Sequence, residues 1–133
     1  MHPLFPKASS LTQAIIGAAI EVHRDKGPGL VDSINEWCLS RELELCRVST
    51  IHQKVVKITC KGFIKEEPPR FDLLVEDCVI VELNAVETVL PVHKAQLLRY
   101  MKLLNVPLGL LINFNVTKLT DGLSRVILQE ADK

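Results

Sequence analysis

Residues 72–84 read DLLVEDCVIVELN, and this short stretch decides the fold. Two apolar runs rich in β-branched residues flank an acidic centre, a pattern typical of two strands joined by a tight turn. If the turn is centred on Asp77, residues equally distant from it are paired, so Asp72 lies opposite Glu82. Alternation along the second strand adds Asn84 to the same row. The stretch therefore predicts a hairpin that carries two carboxylates side by side.

Two adjacent carboxylates repel each other, and burial in an apolar sheet increases the cost. A hard divalent cation such as Mg²⁺, which prefers oxygen ligands, would neutralise Asp72 and Glu82. The alternative is neutralisation by side chains of the protein, and a one-residue change in register would separate the pair. The candidate partners are Arg70, Lys54 or Lys57 for Asp72, and Arg99 or His93 for Glu82. The residues alone leave both interpretations open.

The segments before the hairpin predict two helices and a strand pair. Residues 10–23 show helical periodicity after a Ser9-Ser10 pair suited to capping, and Gly27-Pro28-Gly29 ends that helix. A strand pair is expected on either side of Lys61-Gly62, followed by a break at residues 66–69. The second helix is expected to bury an apolar stripe made of Val31, Ile34, Trp37, Cys38 and Leu45.

After the hairpin, the pattern predicts a helix, a buried strand and a final apolar segment. The helix covers Pro91 to Leu104, with Pro91 in the first turn, where its missing amide costs nothing. The strand covers Leu108 to Ile112, and the last segment is Leu123 to Leu128. The expected core face of this third helix consists of Val92, Ala95, Leu98 and Met101.

The third helix also carries a polar row formed by His93, Gln96 and Tyr100. Their spacing of three and four residues places them on one face. The row is either the solvated edge of the helix or a set of positioning groups for a site.

The composition indicates one globular α+β domain. The chain has 133 residues, 47% of them hydrophobic, and 16 Lys and Arg balance 16 Asp and Glu. Enough apolar surface is available to exclude disorder of the whole chain. We expect residues 1–10 to be an N-terminal tail and residues 11–133 to be the domain. The zero net charge gives no support for nucleic-acid binding by the chain as a whole, although a local site remains open.

The same sequence predicts a cytoplasmic protein with no membrane partner. Its apolar runs are much shorter than the roughly 18 residues that span a bilayer, and residues 1–10 lack the apolar core of a secretory signal. The cysteines Cys38, Cys46, Cys60 and Cys78 match no zinc-ligand spacing. We expect four unpaired, mostly buried thiols.

Several separated blocks of the chain resemble the GxxExxY protein family, a small prokaryotic family grouped with the PD-(D/E)XK nuclease superfamily. The resemblance covers about Leu11 to Leu128, and the blocks match in the right order. They are residues 16–24 (IGAAIEVHR), 27–30 (GPGL), 72–77 (DLLVED), 79–83 (VIVEL) and 110–115 (LLINFN).

The resemblance implies an αβββαβ core with a mixed central sheet flanked by helices. Asp72 and Glu82 would bind Mg²⁺ or Mn²⁺ beside the backbone carbonyl of Leu83, and the activity would be metal-dependent hydrolysis of phosphodiester bonds in nucleic acid. Gln96 and Tyr100 resemble the Gln-x-x-x-Tyr helix of exonuclease-like members and would position groups at the site. Glu21, on the first helix, would be a further residue at the outer edge of this site.

The chain departs from the family pattern at three positions. The family's glutamate and tyrosine are Asp32 and Asn35 here, and the catalytic lysine position is Asn84. An amide neither accepts a proton near neutral pH nor supplies positive charge to a transition state. Lys94 or Lys54 would have to replace the lysine. The open alternatives are thus a nuclease with a degenerate active site, a catalytically silent binding domain, and a structural domain that forms homo-oligomers.

Overall fold

The computed structural model describes residues 1–52, 55–68, 71–84 and 91–133. Three helices and seven strands are present in this part of the chain, together with a short 3₁₀ turn at Leu119–Gly122. In chain order they are α1 (Phe5–Lys26), α2 (Asp32–Leu45), β1 (Thr50–His52), β2 (Val56–Cys60), β3 (Phe63–Glu67), β4 (Leu73–Val75), β5 (Val79–Asn84), α3 (Pro91–Leu104), β6 (Leu108–Asn113) and β7 (Leu123–Ile127).

Five strands form a mixed sheet in the order β1-β4-β5-β6-β7. The β5–β6 pair is parallel, because α3 carries the chain back across the sheet, and the other three pairs are antiparallel. Strands β2 and β3 form a separate antiparallel hairpin around Lys61-Gly62. The α+β class and the mixed sheet flanked by helices are confirmed.

The β4–β5 hairpin has the register that the sequence predicts. Val75 pairs with Val79 and Leu73 with Val81. The turn is tight because Glu76 and Asp77 both adopt positive φ angles, 49° and 58°. Since every pair is centred on Asp77, extending the register by one residue sets Asp72 opposite Glu82.

The sheet is covered on both faces, and the side chains of the hairpin alternate between the two cores. Leu73 and Val81 belong to the core beneath α1 and α2, whereas Leu74 and Ile80 belong to the core beneath α3. Helix α3 approaches β6 closely at Gly109, where a Cβ atom would lie 2.8 Å from Met101 Sδ. The hairpin is thus held between helices on both sides.

Helix α1 starts earlier than its periodicity predicts. It begins at Phe5, and Ala8 is fully buried in the core. Backbone hydrogen bonding also joins the amide of His2 to the carbonyl of Ala131, 2.8 Å away. The expected tail of residues 1–10 therefore contributes its second half to α1.

Two helices bury faces other than the expected ones. In α2 the buried residues are Asn35, Leu39, Ser40 and Leu43, and the predicted stripe is wrong. In α3 the buried residues are Leu97 and Met101, and Leu98 packs half-buried against the same core. Of the expected core face, Leu98 and Met101 are therefore confirmed, whereas Val92 and Ala95 are exposed. Burial follows contact with the sheet rather than side-chain hydropathy. The outward side chains include Val31, Ile34, Trp37, Leu45 and Val92.

All four cysteines are free, as expected, but the prediction that most are buried is wrong. Cys78 is buried in the hairpin turn, Cys38 is half-buried, and Cys46 and Cys60 are exposed because they lie at the end of α2 and on the separate hairpin. Among the described residues, no helix has the length and hydropathy needed to span a bilayer.

Candidate metal centre

The carboxylate of Asp72 is fixed against the neighbouring strand. Residue 72 directly precedes β4, and its amide donates a hydrogen bond to the carbonyl of Val81 over 3.1 Å. Its side chain turns toward β5, where Oδ2 accepts a hydrogen bond from the amide of Leu83 over 2.6 Å. The hairpin thereby holds one oxygen of Asp72 against the backbone next to Glu82.

Glu82 is a buried carboxylate in the middle of the sheet. It pairs in register with Leu111 of β6, which belongs to the core beneath α3, and it is only 7% exposed. Within the described part of the chain, its Oε2 atom is buried without a hydrogen-bond partner. A buried charged oxygen without a partner is costly, so Glu82 requires either a proton or a cation.

Both carboxyl groups have pKa values above the ordinary range. Burial raises the pKa of Glu82 to about 7, and the negative charge of Asp72 adds to the rise. Burial also raises the pKa of Asp72 to about 6, although the hydrogen bond from Leu83 opposes that rise. Each group is therefore harder to ionise than an exposed carboxylate, as expected for neighbouring acids in an apolar setting.

Helix α2 brings two further carboxylates, Asp32 and Glu36, toward this centre. Their charges also raise the pKa of Asp72, while His52 acts in the opposite direction. Burial raises the pKa of Asp32, and Glu36 adds to this shift. The Oδ1 atom of Asp32 is buried without a hydrogen-bond partner among the described residues. The charges of two carboxylates on α2 thus act on Asp72, and the charge of Asp72 acts on Glu82.

A chain of side-chain hydrogen bonds holds Glu36 in place. Nδ1 of His52 lies 2.8 Å from Glu36 Oε1, and Nε2 lies 3.0 Å from Ser40 Oγ, which is 3.3 Å from Thr50 Oγ1. Both ring nitrogens of His52 are therefore engaged. The chain ties α2 to β1 and fixes the carboxylate beside Asp72.

The structure bears on the ion-pair interpretation as well. Among the described residues, no Lys or Arg forms an ion pair with Asp72 or Glu82. Lys57 and Arg99 are among the described residues, whereas Arg70 and Lys54 lie outside them.

The other expected site residues have different positions. Tyr100 packs in the core beneath α3, with its ring 5.4 Å from that of Phe71, the neighbour of Asp72. Gln96 and Tyr100 are half-buried and line a groove of about 500 Å³ on α3. Neither forms a hydrogen bond with Asp72 or Glu82 in the described part of the structure.

Three further positions singled out from the sequence are Asn84, Glu21 and Asn35. The backbone of Asn84 pairs with Asn113 at the end of the parallel strands, and the side chain of Asn84 lies outside the description. Glu21 is exposed on α1 and forms an ion pair with Arg24 at 3.0 Å, and it is not among the charges that act on Asp72. Asn35 is buried and donates weakly to the carbonyl of Leu30 over 3.5 Å.

A comparison with known protein families shows the family of this chain. A family model described as the PD-(D/E)XK nuclease superfamily matches residues 9–126. The chain belongs to the PD-(D/E)XK nuclease superfamily. No curated protein matches it. A solved structure described as the crystal structure of SSO0001 is 21% identical, with a TM-score of 0.49, and the match covers 75% of this chain and 52% of that one. The chain thus spans about half the length of that structure.

PD-(D/E)XK nucleases generally use divalent metals, and the donor set of this chain fits such an ion. Glu82 Oε2, which has no hydrogen-bond partner among the described residues, the carboxylate of Asp72 and backbone carbonyl oxygens are the hard ligands that Mg²⁺ and Mn²⁺ prefer. Among the described residues, no group of three or more His, Cys, Asp and Glu is arranged to hold a metal ion. Waters and substrate oxygens would therefore have to complete the coordination, as is usual for Mg²⁺.

Sequence reasoning missed the electrostatic role of Glu36 and His52. The available signal was the spacing of Asp32 and Glu36 by one helical turn, which places both on one face of α2. That face meets the hairpin only through the packing of α2 on the sheet, which the residues alone do not define.

Proposed function

We propose that this chain is a GxxExxY-type member of the superfamily that binds Mg²⁺ or Mn²⁺ through Asp72, Glu82 and the backbone carbonyl of Leu83. In this proposal its hydrolysis of phosphodiester bonds is weak or lost, because Asn84 stands where the family has its catalytic lysine. The proposal rests on one observation above all. Glu82 carries a buried oxygen with no partner among the described residues, next to a second carboxylate.

A bound cation would neutralise the two acids and supply Lewis-acid chemistry to a phosphate and a water molecule. The residues of the chain hold and shape that site. The amide of Leu83 fixes the Oδ2 atom of Asp72, and in this proposal Oδ1 faces the cation. The surrounding apolar core shields Glu82 from most of the solvent, which strengthens any electrostatic interaction made there.

Hydrolysis needs a further group that orients water or offsets the charge that develops at phosphorus. A lysine performs this role in the family, and Asn84 offers only an amide. Loss of one well-placed electrostatic group typically costs about 10²–10³ in rate. His52 does not replace it freely, because both of its ring nitrogens are already engaged. Asn84 also supports the alternative function, in which the domain keeps the fold and binds a partner but does not catalyse hydrolysis.

The test is a cleavage assay on labelled single-stranded and double-stranded DNA and RNA with Mn²⁺. Wild-type protein is expected to cleave very weakly, and Asn84→Lys to increase the rate. The double variant Asn84→Lys, Asp72→Ala controls for contaminating nuclease and is expected to be inactive. Robust cleavage by wild type that disappears in Asp72→Ala would overturn the weak-site proposal. Absence of any gain in Asn84→Lys, with metal binding intact, would favour the silent domain.

A further inference from the structure

The neutral chain has an uneven distribution of charge. The β2–β3 hairpin and α3 together carry six Lys and Arg and two Glu, which leaves ten Lys and Arg and fourteen Asp and Glu for the rest of the chain. We call this hairpin and this helix together the basic face. Its six cationic side chains, all exposed, are Lys57, Lys61, Lys65, Lys94, Arg99 and Lys102. Of these, Lys57 lies on the side of the hairpin opposite Val56 and Lys65.

The two parts of the basic face border one groove. Val56 of β2 is buried in the core beneath α3, which anchors the hairpin against that helix. Ile58, two residues along the same strand, lines the groove of about 500 Å³ together with Arg99 and other residues of α3. This volume is within the roughly 300–1,000 Å³ of small-ligand pockets.

The side of the hairpin that faces the groove presents an aromatic ring and a cation. Ile58 pairs with Lys65, and Cys60 pairs with Phe63, so alternation places all four on the face that carries Val56. Phe63 is 80% exposed. Lysines on a two-stranded ribbon discourage edge-to-edge pairing, but that role does not explain an exposed phenylalanine among them.

These features match the chemistry of one partner. Nucleic acid supplies a line of phosphates for exposed cations, and an unpaired base supplies a flat face that stacks on an aromatic ring. A duplex hides its base faces, whereas a groove of this size accepts an unpaired base. An acidic protein would satisfy the cations but would leave Phe63 without a role.

We propose that the groove between the β2–β3 hairpin and α3 binds single-stranded nucleic acid, with Lys65 and Arg99 on its phosphates and Phe63 stacked on a base. Lys65 forms an ion pair with Glu67 at 2.6 Å, but this pair is exposed and therefore weak enough for a phosphate to replace it. The inference rests on the proposed function in one respect, since it assigns the strand that the carboxylate site would act on. It does not require hydrolysis to occur.

The experiment is fluorescence anisotropy with a labelled single-stranded oligothymidine in EDTA at low salt. The double variant Lys65→Gln, Arg99→Gln is expected to weaken binding and to reduce the slope of log affinity against log salt by about 1.4, or about 0.7 for each phosphate contact. Phe63→Ala is expected to weaken binding about five-fold or more, which corresponds to the loss of one stacked base. Lys118→Gln, Lys133→Gln removes the same charge away from the basic face and serves as the control.

The outcomes are distinct. An equal loss of affinity in the two charge variants, or an unchanged affinity in Phe63→Ala, would contradict binding in the groove. Tighter binding of a duplex with the same sequence would contradict the proposal of single-strand binding. Full displacement of the oligonucleotide by polyglutamate at equal charge would also contradict it, and either result would assign the basic face to another partner. These substitutions are at exposed positions, and matching circular dichroism melts verify folding. Because EDTA removes metal, a failure of hydrolysis leaves this binding result unchanged.

Discussion

Replacement of Glu82 by glutamine should stabilise the metal-free protein at alkaline pH. The pKa of this carboxyl rises from 4.5 to about 7 on folding, so the native state binds more protons than the unfolded chain between these values. Stability therefore falls as the pH rises through this interval, and the full cost is present above about pH 7. A glutamine side chain carries no charge and escapes this cost.

The magnitude follows from the shift in pKa. One pKa unit corresponds to about 1.4 kcal/mol, so the rise from 4.5 to about 7 sets an upper bound of about 3 kcal/mol for the cost of the charge. Solvent near the site reduces this figure, and the effective dielectric of proteins makes about 1–3 kcal/mol a reasonable range.

Urea unfolding in EDTA measures the effect. Glu82→Gln should exceed wild type in unfolding free energy by about 1–3 kcal/mol at pH 8, and the difference should shrink toward zero near pH 4, where both states are protonated. Glu130→Gln, at an exposed position, is the matched control and should stay within about 0.5 kcal/mol of wild type. A destabilised Glu82→Gln at pH 8 would refute the reasoning, because it would mean that a group of the protein already neutralises the charge.

Two further predictions concern thiols and backbone packing. Without reductant, all four thiols should react with a thiol reagent in denaturant. In the native protein Cys46 and Cys60 should react quickly and Cys78 slowly, because burial hides its sulfur and raises its pKa; fewer than four thiols in denaturant would contradict the free state. Gly122→Ala should lower the free energy of unfolding by about 2 kcal/mol or more, since its Cβ would lie 2.2 Å from the Asn113 carbonyl oxygen. Gly17→Ala, in open space on α1, should instead raise the free energy of unfolding by about 0.5–1 kcal/mol. Thermal melts compare the two variants, and equal melting temperatures would contradict the packing at Gly122.

The hairpin could be predicted from the sequence because its signals are local. Strand alternation and the acidic turn both lie within residues 72–84, and the observed register pairs Leu73 with Val81 and Leu74 with Ile80. Helix α3 was predictable for the same reason, since Pro91 marks its start. Local order of this kind is determined by residues close together in the chain.

The buried face of α2 was not predictable in this way. Val31, directly before the helix, continues an apolar row of Ile34 and Trp37. A second, mixed row includes Asn35 and Leu39, and the structure buries the mixed row. The choice is made by how α2 docks on α1 and the sheet. Tertiary packing can override a helical hydropathy pattern in this manner.

The surroundings of Asp72 were predictable only in part. The pairing of Asp72 with Glu82 follows from the turn, whereas the approach of Asp32 and Glu36 depends on that same docking of α2. Strand β1 has three residues and too weak a pattern to be recognised, so the position of His52 beside Glu36 could not be inferred from the sequence.

The most direct test of the metal centre is calorimetric titration of Mn²⁺ into wild type and Asp72→Asn at pH 7. Asparagine retains an oxygen that can accept the hydrogen bond from Leu83, so the variant removes the charge with little change in structure. Wild type should bind one ion and release protons on binding, because Asp72 and Glu82 titrate near this pH. The variant should bind at least about ten-fold more weakly, as is typical when groups that support a metal site are changed. Absence of binding to wild type, or equal affinity in the two proteins, would contradict the account.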